Sequence, residues 1–211
     1  MINRGSPATF YDANLEEIPE SPGFYAFYLN VMTPQKVGLI GNRPALADER
    51  DVVGRNIVNR LGRVLKLFRN QKYKGMISTG QRGKHIVHRL VLDASEQAPV
   101  EIFEDVEKLN AEDQLMYLRY ASGLATFLHP IYVGITVEQT LKARYAQHRF
   151  DFDGVEKGAL DFGSRVRASG FEWDDLVFSC IPFEGGGDPR RVLRLLEKQL
   201  QALARPVFSS L

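Results

Sequence analysis

The sequence predicts an α+β fold, and two observations carry that prediction. Three short runs of strand formers, at 24–29, 131–135 and 176–181, are dispersed along the chain. Between and after them lie segments whose apolar residues recur at helical spacing. The 211 residues are 44% hydrophobic and 25% charged, which is ordinary for a globular chain. That length suits one domain, or one domain carrying a large insertion.

The residues before Ser21 read as a loose lead-in with one short helical candidate at 13–18. Pro22 and Gly23 then open the strand at 24–29. A loop bearing proline and glycine follows to Asp51. Over 55–70, Ile57, Leu61, Val64, Leu65 and Phe68 share one arc of a helix. Arg60, Arg63, Lys66 and Arg69 project over its other side. Residues 85–92 read as a strand, with 100–103 as its candidate partner. A helix is expected over 107–128, with Asn110 as a candidate cap, Gly123 an irregularity and Pro130 a stop. Strand 131–135 precedes helices at 137–148 and 161–168, the second ended by Gly170. After strand 176–181, Gly185 to Gly187 lead into a last helix, capped by Asp188 with Pro189 at its first position. Leu193, Leu196, Leu200 and Leu203 are expected to be its buried face, and Pro206 ends it.

Net charge is +1, but the charges are not evenly spread. Over 52–92 there are ten Lys or Arg and no acid; over 93–113 there are eight acids and one lysine. The basic block fits a polyanion-facing surface. It also fits two blocks that neutralise each other, or two solvated faces. No run approaches a membrane span, and the first residues carry no apolar core of the signal-peptide kind. Cys180, the single cysteine, excludes an internal disulfide and a multi-cysteine zinc site. A cytoplasmic protein without a membrane partner is expected.

Several chemistries drop out at this level. None of the nine lysines follows an acid by two residues, so a nuclease centre of the Asp…(Asp/Glu)-x-Lys kind is absent. His85 and His88 would lie on opposite faces of their strand, which disfavours a shared metal. No Gly-x-x-x-x-Gly-Lys-(Ser/Thr) loop is present. Gly185 to Gly187 precede a helix, but Asp188 at the cap position would repel a phosphate.

The positive pattern is spread over the chain. Gly23-Phe24-Tyr25 opens one strand and Tyr132-Val133-Gly134 lies in another. Arg144 and His148 follow four apart, on one face of a helix. Glu197 sits within the last helix, nine residues before Pro206. Each residue alone has an ordinary reading: strand tyrosines pack, and surface arginines pair with acids. Taken in order, the set resembles the GIY-YIG nuclease superfamily, and its restriction-endonuclease-like members in particular. Gly23-Phe24-Tyr25 matches the first motif and Tyr132-Val133-Gly134 the second. Arg144, His148 and Glu197 match the arginine, the histidine of some members and the metal-binding glutamate.

The resemblance implies a small core in which a central three-stranded antiparallel sheet is flanked by helices. The core would comprise 1–29 and 130–211. Two features depart from the family pattern. Here 106 residues separate Tyr25 from Tyr132, where the family has a short hairpin, so 30–129 would be an inserted basic α/β subdomain that binds DNA. Ser209 stands where members commonly carry an asparagine, and it leaves the supporting role of that position in doubt.

The implied chemistry is phosphodiester hydrolysis with one Mg²⁺, or Mn²⁺ as a substitute, on Glu197. Arg144 would hold a phosphate oxygen, and Tyr132 would position water or phosphate. Tyr25 and His148 would share the general-base task, with the order of proton transfer between them open. Arg60, Arg63, Lys66, Arg69, Arg82 and Lys84 would contact DNA. Three readings stay open. They are a restriction or defence endonuclease acting on double-stranded DNA, a structure-selective repair nuclease, and an inactive DNA-binding module on the same scaffold. One active site cuts one strand, so cleavage of both strands points to a homodimer or to repeated encounters.

Overall fold

The computed structural model describes residues 8–11, 15–69, 72–81, 84–93, 100–124, 128–154, 161–183, 190–204 and 206–208. Arg82, Asp188, Pro189, Ser209 and the glycine run 185–187 lie outside the described residues. The chain divides into two compact units, one of Met1–Lys36 with Met116–Leu211 and one of Val37–Leu115. The sequence boundaries for the insertion, 30 and 129, are wider than those of the second unit.

The first unit is built on a four-stranded antiparallel sheet in the order β1-β6-β2-β5. Its strands are β1 (Ala8–Tyr11), β2 (Gly23–Leu29), β5 (Tyr132–Thr136) and β6 (Leu176–Pro182). The three expected strands form the sheet, and β1, which the lead-in reading missed, adds an edge beyond β6. Of the helical candidate at 13–18, Leu15–Glu17 form a 3-10 turn, and residues 13 and 14 lie outside the described residues. β2 pairs with β5 on one side and with β6 on the other. Its burial alternates, so Tyr25, Phe27 and Leu29 are buried on one face.

Aromatic rings pack around Phe27. The ring centroids of Phe162 and Phe178 lie 4.6 and 5.1 Å from that of Phe27. Tyr145 and Trp173 continue the cluster, and Trp173 Nε1 donates to the Tyr145 hydroxyl at 2.8 Å. Burying large rings in contact is the main stabilising contribution of such a face. It is supplied by α4 (Leu141–Asp153), α5 (Phe162–Ala168) and the turn before β6. Thr140 caps α4 by accepting from Ala143 N, and Asp161 caps α5 by accepting from Ser164 N.

The second unit holds α1 (Arg50–Arg69), β3 (Lys72–Gln81), β4 (Lys84–Asp93) and α2 (Val100–Glu107). Val53, Ile57 and Val64 are buried along α1, while Leu61, Leu65 and Phe68 are half-buried. Arg63 and Lys66 are exposed and Arg60 is partly so. β3 and β4 form a two-stranded antiparallel ribbon from Lys72↔Asp93 to Gln81↔Lys84. One expectation is corrected here. Residues 100–103 are the start of a helix, and the partner of 85–92 is β3, which runs to Gln81. The side chains of Arg69 and Lys84 lie outside the described residues.

The helix expected over 107–128 is broken. α2 ends at Glu107, and α3 (Ala111–Leu124) starts afresh where Asn110 accepts from Asp113 N at 2.9 Å. The last helix, α6 (Arg190–Ala204), packs along β5. Its expected buried face is mostly uncovered. Leu193 is buried, but Leu196, Leu200 and Leu203 are exposed, Leu203 to 80%. No helix among the described residues is long and apolar enough to cross a membrane.

Candidate active site

Tyr25 on β2, Tyr132 on β5, Arg144 and His148 on α4, and Glu197 on α6 meet in the first unit. Strand register makes the first contact. Tyr25 faces Gly134 across the β2–β5 ladder. A Cβ on Gly134 would lie 2.6 Å from the Tyr25 hydroxyl, so only glycine lets the ring cross its neighbour strand. Tyr132, two residues before Gly134, shares that face and stacks on Tyr25 at 6.0 Å between centroids. Gly23 is confined in a similar way, since a Cβ there would meet the Ile181 carbonyl at 2.3 Å. Both glycines of the tyrosine motifs thus have a packing reason.

Helical spacing makes the second contact. Leu141, Tyr145 and His148 are the buried residues of α4. His148 therefore enters the aromatic core, and its Nε2 lies 2.9 Å from the Tyr25 oxygen. Arg144, one turn earlier, donates from Nε to the same oxygen at 3.2 Å. Its other arm donates to Gln147 Oε1 at 2.7 Å. Gln147 was not singled out from sequence, although its spacing of three from Arg144 on one helix is a legible signal. An arginine N–H can only donate, so the Tyr25 oxygen accepts from Arg144; the direction of its bond with His148 Nε2 is set by the histidine tautomer. The other ring nitrogen, Nδ1, is a buried atom with no hydrogen-bond partner among the described residues.

The electrostatics follow from burial. Tyr25 and His148 are each only 2% exposed. Burial pushes the Tyr25 hydroxyl far above the ordinary tyrosine value; Tyr132 adds to this and Arg144 opposes it. Burial, helped by the Arg144 charge, holds His148 down to about 3. Both are therefore neutral near pH 7. Burial works against the Arg144 charge, but the two tyrosine oxygens outweigh it and the net shift is upward.

Glu197 is half-buried, and burial raises its carboxyl above the ordinary range. The backbone amide of Ile135, on the edge strand, bonds this carboxylate, and the Arg194 and Arg144 charges also pull the value back. No group of three or more His, Cys, Asp or Glu able to hold a metal occurs among the described residues. A divalent ion here would have Glu197 as its carboxylate ligand and keep most of its waters. That fits Mg²⁺, and a half-buried carboxylate held above its usual range is a group that such a cation relieves.

Cys180 pairs with Tyr25 across the β2–β6 ladder, and burial pushes its thiol up to about 12. It is packing, not a nucleophile. Arg60, Arg63 and Lys66 belong to the second unit. No family model, curated protein or solved structure matches the chain.

Proposed function

We propose that the chain is a divalent-metal-dependent DNA endonuclease that hydrolyses phosphodiester bonds, in its most specific form a restriction or defence enzyme. The carrying observation is the hydrogen-bonded line Arg144–Tyr25–His148, with Tyr132 stacked on it and Glu197 within electrostatic reach of Arg144. These residues come from four elements of the sequence, and the resemblance to GIY-YIG nucleases names the same five.

The proton path follows the hydrogen bonds. A phosphate held by Arg144 brings the attacking water to the Tyr25 oxygen, which Arg144 bonds directly, and His148 lies one bond further on. A neutral tyrosine is a weak base, but where Nε2 is the unprotonated nitrogen it can accept the water proton while its own passes to Nε2. The imidazolium so formed is resisted by burial and by Arg144. The negative charge building on the phosphate offsets that resistance, so the transfer is coupled to the attack. A divalent ion held by Glu197 would supply Lewis-acid stabilisation of the charge that develops on the departing oxygen. Tyr132 and Gln147 position the phosphate and Arg144 respectively.

Plasmid cleavage by the purified protein, with Mg²⁺, with EDTA and with Glu197→Ala, is the test. The expected result is cleavage with Mg²⁺ and none with EDTA. Glu197→Ala should lower the rate at least about 100-fold with the fold intact. Tyr25→Phe and His148→Ala should each slow it as well; rates near wild type in both would remove the relay. Discrete fragments favour a restriction enzyme, while nicks at flaps or junctions favour a repair nuclease. Binding without cleavage of any DNA would leave a binding module.

A further inference from the structure

Arg190, Arg191, Arg194 and Lys198 are exposed on α6 and, with Leu195, line a concave surface of about 480 Å³. The helix carries these four cations and one acid, Glu197. At 3.6 residues per turn, the four cations fall within an arc of about 100°. Glu197 lies about 60° from Arg194, on the flank of that arc. The shared helix thus turns one carboxylate toward β5 and presents a row of cations beside it. Arg190, Arg194 and Lys198 are four residues apart, so they step about 6 Å along the axis. That row suits a line of phosphates better than a single compact anion. The basic block noted at 52–92 lies in the other unit and is a separate feature.

We infer that this face of α6 is a phosphate track, along which one strand of duplex DNA runs past Glu197. The inference rests on the nuclease reading for the role of Glu197, but the binding itself stands apart from catalysis. Counterion release makes the contact measurable: each phosphate neutralised contributes about 0.9 to the slope of log K against log salt.

The test uses the full chain, EDTA to prevent cleavage, and a fluorescein-labelled DNA duplex of about 20 bp read by anisotropy across a salt series. The triple variant Arg191→Gln, Arg194→Gln, Lys198→Gln should keep the wild-type melting temperature, because all three side chains are exposed. Its salt slope should be smaller by about 2 to 3, and its affinity at least about tenfold weaker near 0.1 M salt. Lys198→Arg should keep the wild-type slope. A triple variant with an unchanged slope overturns the track. So does tighter wild-type binding to a matching RNA duplex, which would make RNA the ligand of this face. The two readings fail separately. A smaller slope in the triple variant, with no cleavage by wild type in Mg²⁺, keeps the track and removes the nuclease. Cleavage by wild type, with equal slopes in both proteins, keeps the nuclease and removes the track.

Discussion

Helices α4 and α6 flank the same candidate site and use their residues in opposite ways. Along α6 the leucines recur at helical spacing and the cations gather on another arc, yet only Leu193 is buried. Along α4 the sequence LKARYAQHRFDFD shows no clean apolar stripe, yet Leu141, Tyr145 and His148 are buried. Amphipathic patterning says which face of a helix would prefer cover. It does not say whether a neighbour arrives. On α4 the neighbours are β2, α5 and the aromatic cluster, and they enclose even a histidine. On α6 the helix runs along an edge strand, and only its inner edge is covered.

The comparison can be broken by substitution. Tyr145→Ala should have the largest effect on stability, about 3 to 5 kcal/mol, because it opens the aromatic cluster and leaves Trp173 Nε1 without its acceptor. Urea unfolding at neutral pH measures it; a loss below about 1 kcal/mol would mean α4 is not the covered helix.

The next effect is a pH dependence. His148 is depressed to about 3 in the folded chain, so below the ordinary histidine value the unfolded chain binds the extra proton. Stability should therefore fall as pH drops through 6.5 toward 3. Between pH 7 and pH 5 this one group contributes a loss of about 2 kcal/mol. Glu197 and Asp151, raised chiefly by burial, act in the opposite sense. The difference between wild type and His148→Gln isolates the histidine. Equal pH slopes in the two proteins would show that His148 is not buried neutral.

The smallest effect belongs to α6. Leu203→Ala, at an 80% exposed position, should change stability by less than about 0.5 kcal/mol. A loss above about 1 kcal/mol would reveal a neighbour covering that face.

Local pattern carried much of the fold. The strands at 24–29, 131–135 and 176–181 were legible because aromatic and β-branched residues cluster there. Asn110, Thr140 and Asp161 mark helix starts by chemistry that acts within three residues. The misreading at 100–103 arose from too short a window. Val100, Phe103 and Val106 recur every three residues, a helical period that four residues cannot display. β1 was missed because a four-residue edge strand is specified by its partner β6 more than by its own pattern.

By itself the sequence determined the order and type of most elements, and the chemistry available at Tyr25, Tyr132, Arg144, His148 and Glu197. Side-chain identity and local periodicity are properties of neighbouring residues, so they can be read along the chain. Only the tertiary structure decided that the Tyr25 hydroxyl, 123 residues from His148, bonds it in the core. Only it decided that Ile135 offers its amide to Glu197, and that the leucines of α6 go largely uncovered. Burial and pairing between distant residues depend on what packs against each face, and no stretch of sequence contains its own neighbours.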